Sequence, residues 1–207
     1  MLDKIIAQQL RRPSGLPGRL FMAALLNRAN ARHIQQTIDL LDLQASDHVL
    51  DAGFGGGLSF RLMLPHLPLG WLAGVDVAPI MVHQAARRFA AFIHTGKLTL
   101  CTADIAHLPY RRGRFDKICT INTIYFWDDP IACLAELRRI LTADGQLVVA
   151  MEAHDQRQAP RFTQYGFAHY TSDDLQHLLK QAGFSQCTIV HGNQQGLPAS
   201  IFGIARP

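Results

Sequence analysis

The sequence has no apolar run long enough to cross a membrane. A membrane-spanning helix needs about 20 consecutive apolar residues, and no stretch of these 207 residues approaches that length. The N-terminal stretch carries charges among its apolar residues and has no obvious cleavage site, so we expect neither a signal peptide nor stable membrane insertion. These absences predict a cytoplasmic protein.

The chain also lacks a strong excess of charge of one sign. Charged residues make up 17% of the sequence, and the formal net charge is +4. Basic residues occur in short separate clusters such as Arg87–Arg88 and Arg138–Arg139. Nucleic-acid-binding domains usually gather their positive charge on one face, so we expect no nucleic-acid partner.

Cysteine is scarce, with four residues in the chain. No pair is spaced as Cys-x-x-Cys and no histidine follows at zinc-finger spacing, so the sequence predicts no metal site. Cys101 and Cys119 lie inside apolar runs that read as strands, where we expect them to be buried and reduced.

From residue 45 onward, short apolar segments alternate with segments of helical periodicity. Alternation of this kind predicts right-handed crossovers and a parallel sheet covered on both faces. The last two predicted strands follow one another without a helix and should therefore pair antiparallel. We predict an α/β fold, a Rossmann-like doubly wound sheet of seven strands with one antiparallel strand. The predicted strands are His48–Asp51, Trp71–Asp76, Lys97–Asp104, Phe115–Asn122, Gln146–Met151, Phe184–His191 and Ser200–Ala205, and the helices between them are Leu58–Leu64, Pro79–His94, Asp129–Leu141 and Ser172–Gln181.

Residues 1–44 form a predicted N-terminal helical segment that differs from the domain at 45–207. A turn rich in proline and glycine at Arg12–Gly18 precedes apolar residues at helical spacing. This pattern predicts one amphipathic helix, or two with a break near Asn27–Asn30, packed on the main domain.

A glycine-rich turn follows the first predicted strand. Four of the five residues from Gly53 to Gly57 are glycine, which lets a ligand approach the backbone closely. Asp51 precedes the turn, and Asp76 follows 25 residues later. That spacing is close to the one at which an acid reaches a ribose in nucleoside-binding folds, and a carboxylate can accept bonds from two vicinal hydroxyls.

Polar side chains stand at the ends of four successive predicted strands. They are Asp51, Asp76, Asp104 and Asn122. Ligands of open α/β sheets bind beyond the carboxyl ends of the strands. We therefore expect these four residues to share one edge of the sheet and to form a nucleoside site.

The residues in and around the glycine turn favour S-adenosylmethionine over NAD as the ligand. A dinucleotide fingerprint would place a third glycine where this chain has Leu58, and the carboxylate of Asp51 would repel a pyrophosphate. A ligand with a cationic amino-acid head, such as S-adenosylmethionine, suits that carboxylate better than NAD does. An NAD(P)-dependent oxidoreductase and a non-catalytic nucleoside-binding module remain the alternatives.

At this point the sequence resembles the class I S-adenosylmethionine-dependent methyltransferases, and their small-molecule branch most closely. Val49–Gly57 resembles the first motif of that family, Gly74–Asp76 the second, and Thr102–Pro109 the third, and the resemblance covers about residues 45–207. It implies S-adenosylmethionine as cofactor, with Asp76 at the ribose, Asp104 at the adenine amino group and Ile105 along the ring. The cofactor-binding residues expected in total are Asp51, Gly53, Gly55, Gly57, Asp76, Val77, Asp104, Ile105 and Asn122.

The acceptor, expected to be a small organic molecule, should bind beyond the fourth and fifth strands. Tyr125, Phe126 and Trp127 could line it as an apolar wall, or could pack their loop against the N-terminal helix. His154 is a candidate base or a surface histidine. Methyl transfer mainly requires alignment and exclusion of water, so no residue is predicted to be catalytic. Residues 1–44 are the expected cover of the site.

Overall fold

The computed structural model describes residues 30–152, 168–192 and 200–207. The breaker-rich turn predicted before residue 20 and the predicted helix break at Asn27 lie outside these ranges, whereas Asn30 already belongs to a helix. In chain order the elements are α1 (residues 30–41), β1 (His48–Ala52), α2 (Leu58–Met63), β2 (Trp71–Asp76), α3 (Pro79–Arg88), α4 (Ala90–His94), β3 (Leu98–Thr102), β4 (Phe115–Ile121), α5 (Pro130–Ile140), β5 (Leu141–Glu152), α6 (Ser172–Gln181), β6 (Gln186–Gly192) and β7 (Ser200–Arg206). Short 3-10 turns occupy Leu64–His66 and Ile124–Phe126.

The strands form one seven-stranded sheet in the order β3-β2-β1-β4-β5-β7-β6. Neighbours from β3 to β5 are parallel, whereas β7 runs antiparallel to both β5 and β6. The predicted doubly wound sheet with one antiparallel strand is therefore confirmed, and β7 is the reversed strand. No helix in the described ranges has the length and apolar character needed to span a membrane.

Two apolar layers hold the helices on the sheet. On one face, α1 packs through Ile34, Ile38 and Leu41, together with residues of α2 and α3 such as the fully buried Phe60. On the other face, α5 and α6 pack on the sheet through buried leucines. Burying one such side chain stabilises a fold by about 1.5–3 kcal/mol, so these layers fix the strand ends that carry the site.

Two predicted elements differ clearly from the structure, whereas the ends of the others agree within two residues. The single helix predicted over Pro79–His94 is broken at Phe89, which ends α3 with non-helical backbone angles and buries its ring 5.5 Å from the ring of Phe60. The fifth strand begins at Leu141 rather than at Gln146, because Leu141 is already extended and pairs with Phe115 of β4. Tertiary packing of an apolar side chain overrides local periodicity in both places.

The prediction that helices cover both faces of the whole sheet is wrong at β3. The connection between β3 and β4, residues 103–114, contains no helix, and Pro109 and Gly113 interrupt it. A groove of about 530 Å³ remains there, with Trp71, Cys101 and Arg114 among the residues that line it. The Arg114 guanidinium lies 4.4 Å from the centre of the Trp71 ring. This end of the sheet therefore has a helix layer on one face alone.

Candidate active site

The carboxyl ends of β1 to β4 meet at one edge of the sheet because these strands are parallel neighbours. In the ladder Asp51 stands opposite Gly74 and Cys119, and Asp76 stands opposite Thr102. Asn122 follows β4 directly and donates its backbone N–H to the Ala150 carbonyl at 2.9 Å. The structure thus places the four polar residues that the sequence singled out along one edge.

The loop after β1 is folded through three glycines with left-handed backbones. Gly53, Gly55 and Gly57 have φ angles of 84°, 50° and 69°, a region that other residues seldom occupy. The Gly53 N–H donates to the Val75 carbonyl at 2.7 Å, which closes the loop over the end of β2. A Cβ on Gly53 would overlap the Thr123 side chain, whereas a Cβ on Gly55 would have no atom within 4 Å. The loop is therefore packed at Gly53 and open at Gly55.

Asp76 is buried at the end of β2, with 8% of its surface exposed. Its Oδ2 accepts the Gly55 N–H and its Oδ1 accepts the Ala78 N–H, both at 2.9 Å. Burial raises the pKa of Asp76 above its ordinary value, and these two backbone donors oppose the rise. Each oxygen keeps further acceptor capacity, and the neighbouring Val77 is 41% exposed beside it. Hydrogen-bond acceptors for hydroxyls and an apolar surface for a ring are thus adjacent.

Asp51 lies at the end of β1 before the glycine turn, as the sequence predicts, and its side chain points into the protein interior. Its side chain is 2% exposed and accepts a hydrogen bond from the Ser59 hydroxyl of α2, and the Cys119 thiol of β4 lies beside it. Burial raises the pKa of Asp51 to about 7, the Ser59 bond lowers it, and the charge of Asp76 raises it further. The carboxyl group thus joins the end of β1 to the start of α2, and a direct contact with a cationic ligand head stays a prediction.

The raised pKa of Asp51 predicts a pH-dependent stability. In the folded protein the protonated form of Asp51 is favoured. The contribution of this carboxyl group to the stability of the fold is therefore complete below its pKa in the unfolded chain, about 4, and is lost as the pH rises through 7. We expect the free-energy advantage of the wild type over Asp51→Asn to fall by up to about 4 kcal/mol between pH 4 and pH 8. Urea denaturation across that range measures it, with the exposed Asp144→Asn as control; a constant difference between wild type and Asp51→Asn would contradict the assignment.

Asp104 and Ile105 lie just beyond β3. The Asp104 side chain is exposed, and its Oδ1 accepts the Ala106 N–H at 3.0 Å. Ile105 is half-buried and packs against the core on the α5 face. Both positions suit the adenine end of a nucleoside whose ribose is held at Asp76.

Asn122 joins the end of β4 to the beginning of α1. Its backbone is left-handed, with φ 55°, and its side-chain nitrogen donates to the Asn30 side-chain oxygen at 3.2 Å. Its own side-chain oxygen accepts the Tyr125 hydroxyl at 3.3 Å. The described start of the N-terminal segment therefore lies directly against the site edge.

The aromatic residues after β4 are held by specific contacts. The Tyr125 hydroxyl accepts a hydrogen bond from the backbone N–H of Glu152. The backbone carbonyl of Tyr125 accepts the Ala168 N–H at 3.0 Å. Burial raises the pKa of Tyr125. Phe126 lies edge-on to it, with ring centres 6.2 Å apart. Trp127 packs on the core, and its ring nitrogen has no hydrogen-bond partner in the described ranges.

His154 lies outside the described residues, so its place in the site stays a prediction. The sequence pattern gave no role to Asn30 or Glu152, which the structure places at the same edge. A weak signal existed for each: Asn30 is a polar residue at a predicted helix break, and Glu152 is the first charged residue after the apolar run of β5.

The described residues fit S-adenosylmethionine. Gly55 leaves open space against the loop, Asp76 offers buried acceptors for ribose hydroxyls, and Val77 and Ile105 offer apolar surface for the adenine ring. When bound, that cofactor supplies a methyl group on a positively charged sulfur. The fold and this edge together define a class I S-adenosylmethionine-binding architecture.

Comparison with known proteins gives the same class. The family described as a methyltransferase domain matches residues 50–149. An uncharacterized methyltransferase, YdaC of Bacillus subtilis, is 27% identical over 159 residues, covering 77% of this chain and 83% of that protein. The O-methyltransferase cnsE of Penicillium expansum is 27% identical over 144 residues, covering 67% of this chain and 52% of that protein. The chain thus spans about half of the second relative.

A solved structure of similar fold is the S-adenosylmethionine-dependent methyltransferase of Aquifex aeolicus, with a TM-score of 0.66 and 17% identity over 98% of this chain and 97% of that one. At this identity the likeness establishes the fold. Residues 50–149 thus match a methyltransferase domain, and the chain is similar in sequence to methyltransferases and in fold to an S-adenosylmethionine-dependent one.

Proposed function

We propose that this protein transfers the methyl group of S-adenosylmethionine to an oxygen atom of a small organic acceptor. The support for oxygen is the matching relative that is named an O-methyltransferase. The support for a small acceptor is the site itself, which has a short loop of partly buried aromatic residues after β4. An oxidoreductase using NAD(P) is not favoured, because Leu58 stands where a dinucleotide loop needs its third glycine.

The cofactor residues are proposed as a group. The open side of the loop at Gly55 would face the methionine portion, Asp76 would accept the ribose hydroxyls, and Asp104 would accept the adenine amino group. Val77 and Ile105 would flank the ring. Asp51 would act beneath the loop by fixing Ser59, and through it the start of α2.

The acceptor is proposed to bind between the ends of β4 and β5 and the start of α1. The observation that supports this placement is the hydrogen bond from Asn122 to Asn30, which joins the end of β4 to the start of α1. Tyr125 and Trp127 would form the wall on the side of the β4 loop. The segment before residue 30 is proposed to cover the acceptor and to exclude water.

Two measurements test this function together. A panel of phenols, alcohols, hydroxy acids, amines and thiols is incubated with tritiated methyl donor, and we expect label to enter oxygen acceptors. Deletion of residues 1–29 is expected to reduce that turnover by about 100-fold, with S-adenosylhomocysteine affinity, measured by calorimetry, changed little. Label confined to nitrogen or sulfur acceptors would overturn the choice of oxygen, and unchanged turnover after deletion would overturn the cover.

A further inference from the structure

Glu152 is the last residue of β5, and its side chain lies on the α1 side of the sheet. Successive residues of a strand face opposite sides. Ala150 belongs to the core layer beneath α1, and Met151 belongs to the opposite layer. Glu152 therefore faces the same side as Ala150, where Ser200 of β7 stands opposite it.

The Glu152 carboxylate is half-buried, and no described residue donates a hydrogen bond or forms an ion pair with it. Its backbone N–H, by contrast, is bonded to the Tyr125 hydroxyl. Burial raises the pKa of Glu152. A partly buried carboxylate without a donor destabilises a fold, so this residue is not explained by the packing around it.

Within residues 30–152, 168–192 and 200–207, the titratable groups facing this position carry no positive charge at neutral pH. From the turn after β4 comes Tyr125, whose pKa is raised by burial. From α1 comes His33, which lies against Phe202 of β7 with ring centres 5.0 Å apart. Burial lowers the pKa of His33 to about 4, so its ring is neutral, and neither ring nitrogen has a partner in the described part of the chain.

Glu152 is also connected to the edge where the cofactor binds. Tyr125 bonds to Asn122 at the end of β4 and to the backbone of Glu152 at the end of β5. One tyrosine hydroxyl thus bridges the two strand ends between which the acceptor is proposed to lie. A free carboxylate at that place is within reach of a molecule held there.

We propose that Glu152 is the catalytic base of this methyltransferase, accepting the proton of a hydroxyl acceptor as its oxygen is methylated. This inference rests on the proposed function. The acceptor oxygen forms the new bond to the methyl carbon, the carbon–sulfur bond breaks, and its electron pair stays on sulfur to leave a neutral thioether. The hydroxyl proton passes to a carboxylate oxygen of Glu152. The acceptor class is then an alcohol or a phenol, since a carboxylic acid has already lost its proton at neutral pH and its charge would be repelled.

The test compares Glu152→Gln, which keeps the shape but takes no proton, with Glu152→Asp, which keeps the carboxylate on a shorter stem. Asp144→Asn, an exposed carboxylate on the same strand, is the matched control. We expect Glu152→Gln to lower kcat for phenols and alcohols by about 100-fold or more. We also expect it to remove the rise of activity with pH on the acidic side. Glu152→Asp should recover part of both, and all variants should bind S-adenosylhomocysteine as the wild type does.

A second readout separates catalysis from structure without any acceptor. The raised pKa means that the folded protein is favoured by protonation of Glu152, so this stability is present at low pH and is lost as the pH rises. Glu152→Gln should therefore melt at a higher temperature than the wild type at pH 8 and at about the same temperature at pH 4. A lower melting temperature of Glu152→Gln at pH 8 would identify a structural role and overturn the proposal.

The remaining outcomes separate this inference from the function on which it rests. Wild-type kcat and pH profile in Glu152→Gln, with oxygen methylation intact, would overturn the role of Glu152 alone. A wild-type preference for carboxylic acids over phenols and alcohols would do the same. Absence of oxygen methylation in the wild type would overturn the proposed function and this inference together.

Discussion

Replacement of Asp76 by asparagine is expected to weaken cofactor binding by about 100-fold. Both carboxylate oxygens accept backbone N–H groups, from Gly55 and from Ala78. Asparagine has one acceptor oxygen, so its NH₂ group would face one of these donors, and a hydrogen bond to a charged group is worth about 1.5–3 kcal/mol. The same change would remove acceptors proposed for the ribose hydroxyls. Calorimetric titration with S-adenosylhomocysteine measures the loss.

Asp104→Asn provides the matched control for that substitution. Asp104 is exposed and accepts one backbone N–H, so its replacement should weaken binding by about tenfold or less. Thermal unfolding of both variants without ligand shows whether the fold is retained. Equal losses of affinity at the two positions would contradict the central role given to Asp76.

Replacement of Gly53 by alanine is expected to destabilise the protein strongly and to abolish tight cofactor binding. An alanine at φ 84° costs about 1–2 kcal/mol, and its Cβ would overlap the Thr123 methyl group. Overpacking adds about 1–3 kcal/mol, and for a chain of this size the sum lowers the melting temperature by roughly 10 °C. Differential scanning calorimetry measures the shift.

Two further variants separate the free-energy cost of placing alanine on a left-handed backbone from the cost of its steric overlap with Thr123. Gly55→Ala meets no atom within 4 Å, so it should lose less stability while still placing a methyl group on the open side of the loop. In the double variant Gly53→Ala/Thr123→Ser, the methyl group is gone but the hydroxyl that contacts Thr120 remains. That variant should regain part of the lost stability. Equal melting temperatures for Gly53→Ala and Gly55→Ala would contradict the packing described here.

The order of elements and the site edge could be predicted because their signals are local. Each parallel strand is a short apolar run, and the polar residues proposed to bind the cofactor stand at or just after a strand end, as Asp76 ends β2. Glycine patterns also report on their own backbone, and Gly53, Gly55 and Gly57 all have the positive φ angles that such a turn requires. The helical periodicity of residues 79–94 could not predict the break at Phe89, because the break depends on packing against the ring of Phe60 in α2.

Features that depend on distant partners could not be read from the sequence. Asp51 precedes the glycine turn as expected, but its burial follows from Cys119 on a neighbouring strand and Ser59 on α2. Asn122 meets a residue 92 positions earlier in the chain. Glu152 stands out because no described residue donates a hydrogen bond to its carboxylate. A sequence pattern cannot show which side chains lack a partner in the folded protein.

The missing helix between β3 and β4 has a consequence for how the protein responds to its cofactor. β3 is an edge strand that pairs with β2 alone, and one of its faces opens onto the groove beside Trp71. Regions with few buried contacts are the first to open in native-state fluctuations. Asp104 and Ile105, which we propose to bind the adenine, follow this strand, so we expect cofactor binding there to order this edge of the sheet. Part of the binding free energy would then be used in ordering the edge, and the affinity for the methyl donor would depend on the stability of the edge as well as on the contacts made on it.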